Sequence, residues 1–139
     1  MYSPYNEYKR QSVMTMTQGD MIVKLYDECI ADMTLALESF QEEDPGVRAS
    51  TRVSMLRKAS DIIRYLRSIL NMDIEISQSL SDLYDFFLTH LLDANRKVIK
   101  EPIEDVVEMM SELRSSFFEA NNRPVSKQMP NSVFSQAFS

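Results

Sequence analysis

Between residues 76 and 98 the chain reads ISQSLSDLYDFFLTHLLDANRKV, and its apolar positions fall into a repeating row. On a helix advancing about 100° per residue, Ile76, Leu80, Leu83, Phe87, Leu91, Ala94 and Val98 share one seam. Their spacing alternates mostly between four and three, the a/d pattern of bundle helices. Tyr84, Leu88 and Leu92 run beside that seam and widen the apolar arc to about 180°, where a core-facing helix needs about 100°. Asp82, Asp85, Asp93 and Arg96 hold the opposite side. The pattern predicts an amphipathic helix with more apolar width than a simple bundle needs.

Three further segments show the same periodicity. From residue 18 to about 42, Ile22, Leu25, Tyr26, Cys29, Met33, Ala36, Leu37 and Phe40 form a stripe, and Thr17 followed by Asp20 resembles a capping box at its start. The corner EEDPG at 42–46 ends it. A second helix, starting between Pro45 and Thr51, has the seam Leu56, Ala59, Ile63, Leu66 and Leu70, flanked at seven-residue intervals by Met55, Ile62 and Ile69. Asn71 to Asp73 break it before the helix described above. Pro102 suits the first turn of a last helix, whose positive end favours Glu104 and Asp105. Ile103, Val106, Met110, Leu113, Phe117 and Ala120 form its seam. Four helices of about 20 to 27 residues with short connections predict an all-α fold, an antiparallel up-down-up-down four-helix bundle over residues 1–121.

The two ends differ from the rest. Residues 1–12 (MYSPYNEYKRQS) place Tyr2, Tyr5 and Tyr8 three apart, with Ser3 able to cap and Pro4 able to start a short helix. So short a helix is marginal alone, and it should form by docking those rings. It is expected to be a cap segment, either a fixed aromatic plug sealing the bundle or a detachable one covering a binding groove. Residues 122–139 are polar and proline-broken and are expected to be a flexible, disordered tail. Docking of Val133, Phe134 and Phe138 as one helical turn is the alternative.

Composition sharpens this picture without changing it. Two glycines and five prolines agree with long helices and few tight turns. A net charge of −6 disfavours a nucleic-acid groove, which needs clustered Lys and Arg. No apolar run approaches the ~20 residues of a membrane span, and the polar start resembles no signal peptide. With a single cysteine there is no internal disulfide to form, and a reducing cytoplasm is the expected location. Ten methionines suit adaptable apolar surfaces as well as cores.

Candidate chemistry is sparse. His90 is the only histidine, without a Glu three residues before it, so the Glu-x-x-His ligand pair of di-iron bundles is missing. One histidine and Cys29, set in a core stripe, make neither a zinc site nor a nucleophile pair. There is no glycine-rich phosphate loop. No enzyme activity, metal or cofactor is expected. The surplus apolar width points instead to a binder of amphipathic helices. The candidate groove is Met55, Ile62, Tyr65 and Ile69 of the second helix with Tyr84, Leu88 and Leu92 of the third. In an acidic chain such binding is expected to be largely insensitive to salt. The rival is a structural bundle whose strips form a self-association interface, a homodimer.

The motifs also carry a resemblance. Met1-Tyr-Ser-Pro-Tyr-Asn-Glu-Tyr-Lys resembles the tyrosine-rich start of the FliS family, the flagellar secretion chaperones of flagellin. Lys24-Leu-Tyr-Asp resembles that family's Leu-Tyr-Asp segment in the first long helix. Leu83-Tyr-Asp-Phe-Phe, running on through Leu91-Leu-Asp-Ala-Asn95, is similar to its Leu-Tyr-Asp-Tyr-Met and Leu-x-x-Ala-Asn pattern. The motifs stand in the right order from Met1 to Ala120. The chain departs from the pattern at Glu28 and Cys29, where the family often has Gly-Ala, and at Phe117, where it often has Trp. The resemblance implies a cytoplasmic chaperone that binds the amphipathic C-terminal segment of flagellin, prevents premature polymerisation and assists delivery to the flagellar type III export apparatus. It also implies contacts with export-gate components and an anti-sigma factor.

Overall fold

The computed structural model describes residues 17–122 and 136–138. Four helices follow one another: α1 (Gln18–Glu38), α2 (Pro45–Ser68), α3 (Glu75–Lys97) and α4 (Glu101–Asn121), with a 3-10 turn, Ser39–Gln41, extending α1. Local chemistry sets most of their ends. The Thr17 hydroxyl accepts the Asp20 N–H at 3.1 Å and opens α1. Asp44 Oδ1 accepts from the N–H groups of Gly46 at 2.8 Å and Val47 at 3.2 Å. Pro45 stands directly after that cap, where its missing N–H leaves no bond unmade. Pro102 occupies the first turn of α4 in the same way. The end of α3 is unusual, because Val98 turns the chain with φ 56° and ψ 55°, a left-handed conformation that favours glycine.

Each helix packs against its neighbours in sequence, and α4 returns to α1, which closes a square of antiparallel helices. The expected up-down-up-down bundle is thus the fold. The interfaces of α1 are closer than those of α3. Small residues explain this: Cys29 of α1 and Ala59 of α2 meet so closely that the thiol donates to the Ala59 carbonyl at 3.5 Å. The core contains Ile22, Met33, Ile63, Leu66, Phe87, Leu91, Ile103 and Met110, all essentially inaccessible. Each such side chain contributes about 1.5–3 kcal/mol by leaving water.

The buried face of α3 is rotated from the expected seam. Its buried residues are Ser77, Leu80, Tyr84, Phe87, Leu91 and Ala94, while Ile76 and Leu83 are half-buried and Val98 is exposed. Tyr84, expected in an outward strip, is 0% exposed. Its hydroxyl meets that of Tyr26 at 2.7 Å in the middle of the bundle. A buried phenol is stable only with such a partner, and α1 supplies it. The two Leu-Tyr-Asp triplets therefore act as a pair. Their tyrosines join across the bundle, and their aspartates pair outward with neighbouring helices, Asp27 with Arg114 at 2.8 Å and Asp85 with Arg67 at 3.0 Å. Burial pushes the Tyr26 phenol up to about 12 and that of Tyr84 higher still, so both hydroxyls stay protonated.

Where the C-terminal tail is described, at 136–138, it is docked. Ala137 and Phe138 are buried, and the Phe138 ring meets Phe117 edge-on with centroids 5.9 Å apart. The Ala137 carbonyl accepts from the Asn71 N–H at 2.7 Å and the buried Ser77 hydroxyl at 3.3 Å, and the Gln18 side chain donates to the Phe138 carbonyl. This turn closes the end of the bundle where α1 and α3 begin. The cap tyrosines Tyr2, Tyr5 and Tyr8, and the tail residues Val133 and Phe134, lie outside the described residues.

Candidate functional site

Two polar stitches join α2 to α3. At one end the Arg52 Nε donates to Asn95 Oδ1 at 3.1 Å. At the other, Arg67 pairs with Asp85 and donates to the Ser81 hydroxyl at 3.5 Å. Residues 52 and 67 are about 22 Å apart along the helix axis. Between them lies a surface cleft of about 350 Å³, floored by the buried Leu56 and Leu91. Val53, Leu56, Arg57, Ser60 and Arg64 form its α2 wall, and Leu88, Thr89, Leu91, Leu92 and Asn95 form its α3 wall. A second hollow of about 410 Å³, lined by Ala49, Ser50, Val53, Ser54 and Arg57, continues along the same side of α2. Sharing Val53 and Arg57, the two make one groove over residues 49–64.

The predicted groove residues divide on this geometry. Leu88 and Leu92 line the cleft, and Leu92 is 54% exposed. Met55, Ile62 and Ile69 do not. They lie on nearly the opposite side of α2 from Val53, Ser60 and Arg64 at 100° per residue, the side that carries Ala59 and meets α1. There they are half-buried and packed against the core. Tyr65, 47% exposed, points away from the bundle between the two sides. Tyr84 belongs to the core. Of the predicted residues, the cleft thus takes in the two α3 leucines and none of the α2 strip.

Val53, Arg57, Ser60 and Arg64 line the cleft but were not among the predicted residues. The sequence holds one signal for them: at positions 53, 57, 60 and 64 they recur every three or four residues, a row beside the Leu56–Ile63 seam. Its mixed polarity hides it from a search for apolar stripes.

The rest of the surface offers little reactive chemistry. Cys29 is buried, and burial, with a smaller push from Asp32, holds its thiol above the usual range. His90 stacks on Phe86 with centroids 3.9 Å apart, on the α3 flank away from the cleft. Its Nδ1 is buried without a hydrogen-bond partner among the described residues. Among the described residues no group of three or more His, Cys, Asp or Glu is placed to hold a metal ion. None of the described helices is long and apolar enough to cross a membrane.

Among the described residues the chain is a four-helix bundle with an open groove between α2 and α3. The family model described as flagellar protein FliS matches residues 1–124, and the chain belongs to the FliS family. It is similar to the flagellar secretion chaperone FliS of Bacillus subtilis (strain 168), with 30% identity over 118 residues, 85% of this chain and 86% of the relative. It is also similar to the flagellar secretion chaperone FliS of Vibrio cholerae serotype O1, with 39% identity over 64 residues, 45% of this chain and 47% of the relative.

Proposed function

We propose that this chain is a cytoplasmic export chaperone whose α2–α3 groove receives the amphipathic C-terminal helical segment of flagellin. By covering the apolar stripe of that segment it keeps flagellin from polymerising and assists its delivery to the flagellar type III export apparatus. The observation that carries this reading is the open groove itself. Leu88 and Leu92 stand opposite Val53 and Arg57 over a floor of buried Leu56 and Leu91, and an amphipathic helix is the natural occupant of such a groove. The names of the two relatives, both flagellar secretion chaperones, support the same role.

A polymerisation assay tests it. Full-length flagellin seeded with filament fragments should elongate, and an equimolar amount of this chain should stop elongation. Flagellin lacking its C-terminal helical segment should fail to be retained by the immobilised chain. Equal retention of both forms would place the client contact elsewhere on flagellin.

A further inference from the structure

Charge is distributed very unevenly over this acidic protein. The chain carries a net −6, yet α2 holds Arg48, Arg52, Arg57, Lys58, Arg64 and Arg67 against the single acid Asp61. Two of these cations, Arg57 and Arg64, stand on the cleft wall. They are one heptad apart, about 10 Å along the axis, on one edge of the groove. Arg57 has no acidic partner among the described residues. Arg64 reaches Asp61 at 3.2 Å, with both side chains more than 60% exposed, a pair weak enough to be redirected. The facing wall contributes Leu88, Thr89, Leu92 and Asn95 and no charge. One edge of the groove is therefore cationic and the other neutral and apolar.

Resting on the client reading above, we infer that the groove selects an amphipathic helix bearing acidic side chains one heptad apart along one edge of its apolar stripe, received by Arg57 and Arg64. The apolar stripe covers Leu88 and Leu92 while the acids lie toward α2, which sets the direction and register of the bound helix. Charge disfavours the chain's own ends as occupants. Segment 123–135 carries Arg123 and Lys127 and no acid, and segment 1–16 carries Lys9 and Arg10 against Glu7. A second copy meets the mutual repulsion of two molecules at −6. Local charge thus replaces the salt-insensitive binding expected from the net charge.

The test uses the full chain and three synthetic helical peptides of about 20 residues, about 30 Å long. They share one leucine stripe and differ at two edge positions a heptad apart, which carry Glu, Gln or Lys. Fluorescence anisotropy in about 0.1 M salt should rank them Glu, Gln, Lys, with about tenfold between the extremes. The gap should close near 1 M salt, where the screening length falls to about 3 Å. The double variant Arg57→Glu, Arg64→Glu should invert the order. The variant Arg57→Gln, Arg64→Gln should flatten it, and this second variant decides the matter if the first melts early. Equal binding of all three peptides, still lost in Leu92→Asp, would overturn charge selection and leave the groove a helix receptor. Binding of none would overturn the groove reading and this inference together. A dimer of the free chain that the arginine substitutions dissolve would assign the cleft to a second copy and overturn the inference.

Discussion

The two long sides of α2 carry different strips, apolar toward α1 and mixed in polarity toward α3, and meet opposite fates. Toward α1, Met55, Ile62 and Ile69 are half-buried against the core, because Cys29 and Ala59 let the two helices approach closely. Toward α3, Val53 and Arg57 face Leu88 and Leu92 across an open groove floored by the buried Leu56 and Leu91. There the polar stitches at Arg52 and Arg67 flank the groove, and the leucines between them form its floor and rim. Interaxial distance follows the size of the side chains at the contact. A strip on a bundle helix is therefore core or open surface according to the residues on its neighbour, and the width of the strip does not decide between them.

The largest effect expected is at the centre, on which both sides of α2 depend. Tyr84→Ala should destabilise the bundle by about 3–5 kcal/mol, read as a fall in denaturant midpoint, whereas a surface position would cost less than about 0.5 kcal/mol. The tyrosine pair also gives a pH signature. Tyr26 is raised from 10.0 to about 12 by burial, so its neutral form is favoured in the folded state. The Cys29 thiol, raised from 9.0 by burial, acts the same way, so stability should begin to decline near pH 9 and fall more steeply as the pH rises from 10 toward 12.

The comparison itself breaks or holds on a pair of aspartates. Ile62→Asp puts a charge into the sealed side and should cost about 1–3 kcal/mol. Leu92→Asp, on the open side, should stay within about 0.5 kcal/mol of the parent. Equal losses in urea melts would mean that the α3 side is as closed as the α1 side.

Smaller effects sharpen the account at the ends. Phe138→Ala should cost about 2 kcal/mol, measured by thermal unfolding, because the ring is buried against Phe117. Val98→Gly, which relieves the left-handed turn ending α3, should stabilise by about 1 kcal/mol.

Much of the architecture was legible in the chain because it is locally encoded. Thr17 and Pro102 announce helix starts through chemistry that acts within one turn, and the range Pro45 to Thr51 contains the start of α2. Ile103, Val106, Met110 and Phe117 announce the buried face of α4 because nothing polar interrupts their spacing. The face of α3 was harder to read, since Tyr84 and Ser77 look like surface residues until their partners are known. Those partners, Tyr26 and the Ala137 carbonyl, lie 58 and 60 residues away. The repeated Leu-Tyr-Asp triplet is the one trace of that pairing within the sequence. The open side of α2 was illegible for a similar reason: which flank a neighbour covers depends on Cys29 and Ala59 meeting across two helices.

The central claim, that the α2–α3 groove is the client site, is tested most directly by titrating a flagellin C-terminal peptide into the parent, Leu92→Asp and Ile62→Asp chains at a temperature where all three are folded. A loss of more than tenfold in affinity for Leu92→Asp, equivalent to more than about 1.4 kcal/mol, with near-parental affinity for Ile62→Asp, is the predicted result. Parental affinity in Leu92→Asp together with lost binding in folded Ile62→Asp would contradict it and move the site to the α1 side of α2.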